Sequence, residues 1–379
     1  MTHPALSRRR FLGQFSSAVA ATALAPAWAR AVGAAPAESG LVPPRKLGVA
    51  LVGLGGYSRG QLGPALRETQ HCRLAGVVTG DPAKGARWAS EYGFSEKAVY
   101  GYDTMARLAD NPDIDIVYVV TPPGLHAEHS IAAAKAGKHV ICEKPMARTV
   151  AECDAIIAAC QAAGVQLAIG YRLHFEPHHL EFARLARDPE FGPFMQVRSS
   201  NGYKMGNNRN WRISRELAGG GPLMDMGIYS VQAMCTAMRE QAPIAITAEF
   251  PTPARPDFFN EVEESVRWSA EFADGAKGEG FSSYNENIAT FRAEGPKGWA
   301  EIPRPTFSYR GQSLVTSRGP VPLPSINQQA AQMDGTALCF FRKQPNPVPG
   351  EMGRRDLAII EAIYRAARSG RREEVKLGA

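Results

Sequence analysis

The residues best suited to moving a proton are a lysine, an aspartate and a tyrosine in two separate motifs. Lys144 stands in Glu143-Lys144-Pro145, directly after the apolar run His139-Val140-Ile141-Cys142. A lysine at the carboxyl end of a strand, where ligands of open α/β sheets bind, can hydrogen-bond a reacting oxygen. Asp225 and Tyr229 follow the triple glycine Gly219-Gly220-Gly221. They are four residues apart, so on a helix they share one face. An amine, a carboxylate and a phenol together supply what acid/base work at a hydroxyl or carbonyl needs. Trp211-Arg212 offers a stacking face and hydrogen-bond donors for a ring or a phosphate. Tyr171-Arg172, His174, Tyr203 and Tyr309 are further candidates for a binding cleft. His178-His179 lacks partner ligands at metal spacing and reads as surface, so no metal is expected.

The elements that must position these groups begin at Leu47. An apolar strand runs into Gly53-Leu54-Gly55-Gly56-Tyr57-Ser58, and a helix follows through Gln61–Glu68. That is the context in which backbone N–H groups at a helix start face a dinucleotide pyrophosphate, although Ser58 stands where a third glycine is usual. Leu74–Val78 and Ile114–Val120 read as further buried strands. Helical stretches at Lys84–Tyr92 and His126–Gly137 lie between the strands. The alternation requires a doubly wound parallel sheet, so residues 46–170 are read as a Rossmann domain. At the end of the second strand, Thr79-Gly80 occupies the place where an acid usually holds a ribose 2′-hydroxyl. A neutral hydroxyl there suits a 2′-phosphate, which Lys84 or Arg87 could neutralise, and NADP is therefore expected. A small register shift would instead make Asp81 the ribose ligand and NAD the cofactor. Tyr102, Thr121, Pro122, Pro123, His126, Glu143, Lys144, Arg172, Trp211 and Arg212 complete the expected cofactor contacts.

Beyond residue 170 the pattern changes. Phe194–Tyr203 alternates loosely, and Val262–Phe272 and Lys277–Tyr284 flank Asp274-Gly275 as a hairpin. Residues 171–379, closed by a helix over Asp356–Gly370, form the second domain of the α/β plus α+β class. At the other end, Arg8-Arg9-Arg10 precedes Phe11-Leu12, a short apolar run and small residues with A-x-A sites near Ala29. This resembles a twin-arginine signal over 1–29, followed by a flexible Ala/Gly/Pro-rich arm over 30–45. The apolar run is too short for a membrane span. A periplasmic protein exported folded by the twin-arginine machinery is expected. Of the 43 basic residues three are in the signal, which has no acids, and the rest are scattered among 37 acids. A nucleic-acid footprint is not supported. The six cysteines show no CxxC pair and read as buried thiols.

Thr121-Pro122-Pro123-Gly124-Leu125-His126, Glu143-Lys144-Pro145 and Gly219–Tyr229 together make the chain resemble the Gfo/Idh/MocA oxidoreductase family from Lys46 onward. The signal, Thr79 and Tyr229 look most like its glucose–fructose and aldose–aldose oxidoreductase branches, since many members carry His at the position of Tyr229. The resemblance implies a second domain built on an open, mostly antiparallel sheet that pairs between subunits, hence a homodimer. It implies tightly bound NADP and mono- or oligosaccharide substrates touched by Lys144, Tyr171, Tyr203, Asp225, Tyr229 and Tyr309. It implies oxidation of an aldose to an aldonolactone and reduction of a second sugar to a polyol. Tyr229 would exchange the proton beside Lys144, with Asp225 orienting the sugar or the lysine; either Lys144 or Tyr229 is the formal acid/base. An NAD-dependent glycoside hydrolase of the same family and a non-catalytic sugar or nucleotide sensor are the competing functions.

Overall fold

The computed structural model describes residues 42–378; the expected signal and most of the arm lie outside them. Six strands make the first sheet: β1 (Leu47–Val52), β2 (Cys72–Val78), β3 (Val99–Tyr100), β4 (Ile116–Val119), β5 (His139–Cys142) and β6 (Leu167–Ile169). Their order is β3-β2-β1-β4-β5-β6 and every pairing is parallel. This is the strand order of the dinucleotide-binding fold, and its topological switch lies between β1 and β4. The apolar runs follow from burial on both faces. Val49, Leu51, Val77, Val117 and Ile141 are fully buried, each side chain adding about 1.5–3 kcal/mol relative to exposure. The interleaved helices are α1 (Gly63–Glu68), α2 (Pro82–Tyr92), α3 (His126–Lys135) and α4 (Val150–Ala162). The first begins three residues earlier than its periodicity predicts, as a π-turn over Ser58–Leu62.

After α5 (Pro177–Arg187) the chain enters a nine-stranded sheet. It comprises β7 (Gln196–Gly202), β8 (Ala245–Glu249), β9 (Ser265–Glu271), β10 (Lys277–Ser283), β11 (Ile288–Gly295), β12 (Gly298–Ile302), β13 (Leu314–Thr316), β14 (Gly319–Val321) and β15 (Glu373–Glu374). Only β7 and β10 pair in parallel; the other neighbours are antiparallel. The expected hairpin is β9–β10, with Gly275 at φ +84° in its turn. The short α6 (Arg215–Ala218) leads to the triple glycine, and α7 (Ile228–Ala237) packs on β7 and β10.

Two long helices follow, of which the second joins the two sheets. α8 (Gln328–Arg342) packs on the turn after β6 and on β2, and α9 (Gly350–Ser369) lies on α4, β6, α7 and β8. Gly350 and Gly353 permit the close approach. A Cβ on Gly350 would sit 2.6 Å from the Leu167 side chain, and one on Gly353 would sit 2.9 Å from that of Met146. The six cysteines are buried free thiols. Among the described residues no helix is long and apolar enough to cross a membrane.

Candidate active site

The cradle at the end of β1 explains its own sequence. Gly53 turns at φ +95°, a conformation L side chains rarely adopt. Its carbonyl accepts a 2.6 Å bond from the buried Ser58 hydroxyl, so serine replaces the third glycine without loss of packing. Leu54 joins the core, whereas Gly55 and Gly56 face open space: a Cβ on either would meet nothing within 4 Å. A bare backbone at a helix start is the arrangement that admits a pyrophosphate. At the end of β2, Thr79 is pinned by its N–H to the Tyr100 carbonyl at 2.9 Å. Asp81 is the N-cap of α2, its Oδ1 accepting the Lys84 N–H at 3.0 Å. That bond ties the Asp81 carboxylate to the start of the helix. Tyr102 flanks Gly80 and stacks on His129, with ring centroids 4.9 Å apart. The residues present therefore fit a nicotinamide dinucleotide.

Beyond the glycine loop a cleft of about 340 Å³ opens between the domains. Its floor holds Thr121, Pro123, Glu143, Lys144 and Pro145, and its opposite wall holds Trp211, Arg212, Asp225 and Tyr229. His126 lines the cleft from a nearly buried position and also braces it. It is 1% exposed, with Nε2 2.7 Å from the Thr121 carbonyl and Nδ1 2.9 Å from the Pro145 carbonyl. It ties the two floor motifs together, and burial pushes its pKa down to about 4. Glu143 also turns inward: Oε1 accepts from Tyr118 at 2.7 Å and Oε2 from the Lys144 N–H at 3.1 Å. Burial raises its pKa.

Lys144 pairs across the cleft. Its Nζ donates to the Asp225 carbonyl at 2.8 Å, lies 3.6 Å from Asp225 Oδ1 and sits 4.8 Å from the centre of the Tyr229 ring. Asp225 Oδ2 accepts from Arg212 Nε at 2.8 Å and from the Tyr284 hydroxyl at 3.1 Å. Burial alone would raise the Asp225 pKa, but the charges of Lys144 and Arg212 outweigh it and hold the group ionised. Arg212 stacks on Trp211 at 4.4 Å. Tyr203 lines the same wall, its pKa pushed up to about 12 by burial and by the charge of Asp225.

Arg172 is a largely buried part of the cleft wall. Nη1 donates to the Ser308 carbonyl at 3.0 Å and to Gln328 Oε1, and Nη2 donates to the Phe307 carbonyl at 2.6 Å. Its guanidinium lies 5.3 Å from the Tyr229 ring and 4.6 Å from the Tyr309 ring, with Nη2 3.5 Å from the Tyr229 hydroxyl.

Two expectations are corrected. Tyr171 does not line the cleft; it is buried and borders a separate cavity of about 40 Å³ behind Tyr229, together with His174. A one-turn helix over Arg172–Phe175 turns the two neighbours in different directions. His178 and His179 are not surface residues. Both are buried and hydrogen-bonded through Nδ1 to the Glu176 carboxylate, at 2.6 and 2.7 Å. Tyr284, Phe307 and Gln328 were not anticipated as members of the site. Nothing in the sequence near them marks a strand end or a loop carbonyl as a partner of Asp225 or Arg172.

Two family models match the chain: "Oxidoreductase family, NAD-binding Rossmann fold" over residues 47–171 and "GFO/IDH/MocA C-terminal domain" over residues 179–301. The chain belongs to the Gfo/Idh/MocA oxidoreductase family. Among solved members, the fold matches that of the aldose-aldose oxidoreductase from Caulobacter crescentus complexed with glycerol. The match has a TM-score of 0.82 and 44% identity, and covers 87% of this chain and 100% of that one. The 1,5-anhydro-D-fructose reductase of Ensifer adhaerens is 26% identical over 337 residues, 86% of this chain and 98% of that protein. The D-xylose 1-dehydrogenase (NADP(+)) of Haloarcula marismortui is 24% identical over 327 residues, covering 84% and 90%. As a Gfo/Idh/MocA member the chain has a nicotinamide dinucleotide-binding Rossmann domain, and the cradle described above fits such a ligand.

Proposed function

We propose that this protein is a sugar oxidoreductase acting on CH–OH groups, with tightly held NADP that shuttles between two sugars. The observation that carries the reading is the Lys144–Asp225–Tyr229 cluster facing the glycine-loop cradle across one cleft. Similarity to an aldose-aldose oxidoreductase and to an NADP-dependent xylose dehydrogenase supports the substrate class. Bound NADP would take a hydride from C1 of an aldose and return it to the carbonyl of a second sugar.

The side chains supply the rest. Lys144 is fixed by the Asp225 carbonyl and turns its remaining N–H donors to the reacting oxygen. Among the described residues the Tyr229 hydroxyl has only the long 3.5 Å contact with Arg172, so it is the group available to exchange the substrate proton. Lys144 and Arg172 flank its ring and stabilise the charge that develops on its oxygen. Asp225, anchored by Arg212 and Tyr284, holds Lys144 and offers an acceptor to a sugar hydroxyl. Thr79 puts a neutral hydroxyl at the end of β2, which suits a 2′-phosphate that Lys84 could neutralise.

The twin-arginine-like leader is read as an export signal for the folded, cofactor-loaded protein, and the nine-stranded sheet as a homodimer face. Because free NADP is not expected outside the cytoplasm, regeneration in place by a second sugar follows.

The test uses the mature protein purified without added cofactor. Glucose alone should produce the reduced-nicotinamide absorbance band, and a second sugar should abolish it. Release of nitrophenol from a nitrophenyl glycoside would replace this reading with a hydrolase. An empty site with no spectral response to any sugar would replace it with a sensor.

A further inference from the structure

The glycine loop and the second domain touch through a pair of aromatic rings. Tyr57 follows the two open glycines, Gly55 and Gly56, and its ring centroid lies 5.9 Å from that of Tyr309, with the planes tilted by 33°. Tyr309 comes from the loop between β12 and β13, on the opposite side of the cleft. Both residues line that cleft.

The Tyr309 loop is held from below. The carbonyls of Phe307 and Ser308, immediately before Tyr309, accept from Arg172, and Gln328 Nε2 donates to Ser308 at 3.2 Å. The Arg172 guanidinium then supports the Tyr309 ring at 4.6 Å. Arg172 itself is buried and fixed, so the ring rests on a rigid base. Tyr309 is nevertheless 38% exposed, one of the few large aromatic side chains so open to solvent. An exposed ring that spans two domains through one tilted ring contact and one cation–π contact is a closure that can open and re-form.

We propose that Tyr57 and Tyr309 form a strap across the glycine loop that retains the dinucleotide. This rests on the reading of the site as a holder of tightly bound NADP. A dinucleotide lying on Gly55 and Gly56 is enclosed where the two rings meet, and it leaves only after Tyr309 swings outward. Tyr309 is thus a retention residue for the cofactor as well as a part of the sugar-facing rim. Exchange of the nucleotide is gated by a small loop rather than by separation of the domains.

The experiment measures exchange of bound NADP for radiolabelled NADP in the full-length mature protein, after removal of free nucleotide by gel filtration. Loss of an aromatic ring pair together with a cation–π contact corresponds to about a tenfold or greater acceleration. Tyr309→Ala should therefore exchange at least ten times faster than the parent, and Tyr309→Phe, which keeps the ring, should stay within about twofold. Tyr57→Leu removes the other half of the strap, and combining it with Tyr309→Ala should add little. Circular dichroism and the melting temperature check that each variant is folded. Slow exchange in the parent and equally slow exchange in Tyr309→Ala would overturn the strap while leaving tight NADP binding intact. Rapid exchange in the parent itself would overturn both. Release of NAD rather than NADP from the purified parent would overturn only the 2′-phosphate assignment.

Discussion

Asp225→Asn isolates the charge at the centre of the cleft while keeping the shape of the side chain. In the parent, the carboxylate takes a charge-assisted bond from Arg212 at 2.8 Å and lies 3.6 Å from Lys144, whose side chain, like that of Asp225, is 13% exposed. The Tyr284 bond can be made by the amide oxygen, and the backbone carbonyl still holds Lys144. What is lost is therefore the ionic share of two contacts. A hydrogen bond to a charged group contributes about 1.5–3 kcal/mol. Arg212 is about a third exposed, and solvent screening puts its share at the lower end. A net loss of about 2 kcal/mol lowers the melting temperature by roughly 4–8 °C for a domain of this size. If the same energy is lost from the transition state, the rate of cofactor reduction by the first sugar falls about thirtyfold. The sign of the pH effect is fixed as well. The folded Asp225 titrates below its unfolded value, so its contribution is present above about pH 4 and disappears as the pH falls through the folded pKa. The variant should lack that part of the acid-side decline. Stopped-flow absorbance and thermal melts over a pH series measure both effects. A variant with parental rate and melting temperature would refute the role given to the carboxylate.

Tyr229→Phe should keep its nucleotide and lose at least about a hundredfold in turnover, as expected for removal of a proton-exchanging group; steady-state rates and nucleotide content measure this. Thr79→Asp places a carboxylate at the end of β2 and should reverse the preference from NADP to NAD, read as the identity of the nucleotide released by acid. Gly221→Ala would put a Cβ 2.2 Å from the Glu263 carbonyl oxygen. The turn that launches Asp225 and Tyr229 must then shift, with about 1–3 kcal/mol of destabilisation in denaturant unfolding.

The Rossmann half was legible because burial on both faces writes each strand as a continuous apolar run, as in Val49–Val52 and Ile116–Val119. The hairpin was legible because Asp274-Gly275 between two strand-like runs is a strong turn signal, and Gly275 takes the positive φ the turn needs. Side-chain direction in short irregular segments was not. Tyr171 and Arg172 are adjacent, yet only Arg172 reaches the cleft, and no periodicity exists in a one-turn helix to predict this. His178 and His179 could have been placed inside, since Glu176-Pro177 is a helix start whose carboxylate must find donors, and both rings supply them. The start of α9 was set six residues late because Gly350 and Gly353 weaken the helical pattern. Their lack of side chains serves contact with Leu167 and Met146, which sequence spacing does not reveal. Asp81 is shared between two roles that the sequence alone leaves open, and its bond to the Lys84 N–H shows the helix-capping one.

The central claim, that one bound cofactor carries the hydride between two sugars, is tested most directly by isotope transfer. Glucose deuterated at C1 is mixed with an unlabelled acceptor sugar and the mature enzyme, without added nucleotide. The account predicts that deuterium appears at the reduced carbon of the polyol, in equal amount to lactone formed and without dilution by solvent protons. Lactone formation that stops after one turnover per active site, with no label in a polyol, would contradict it.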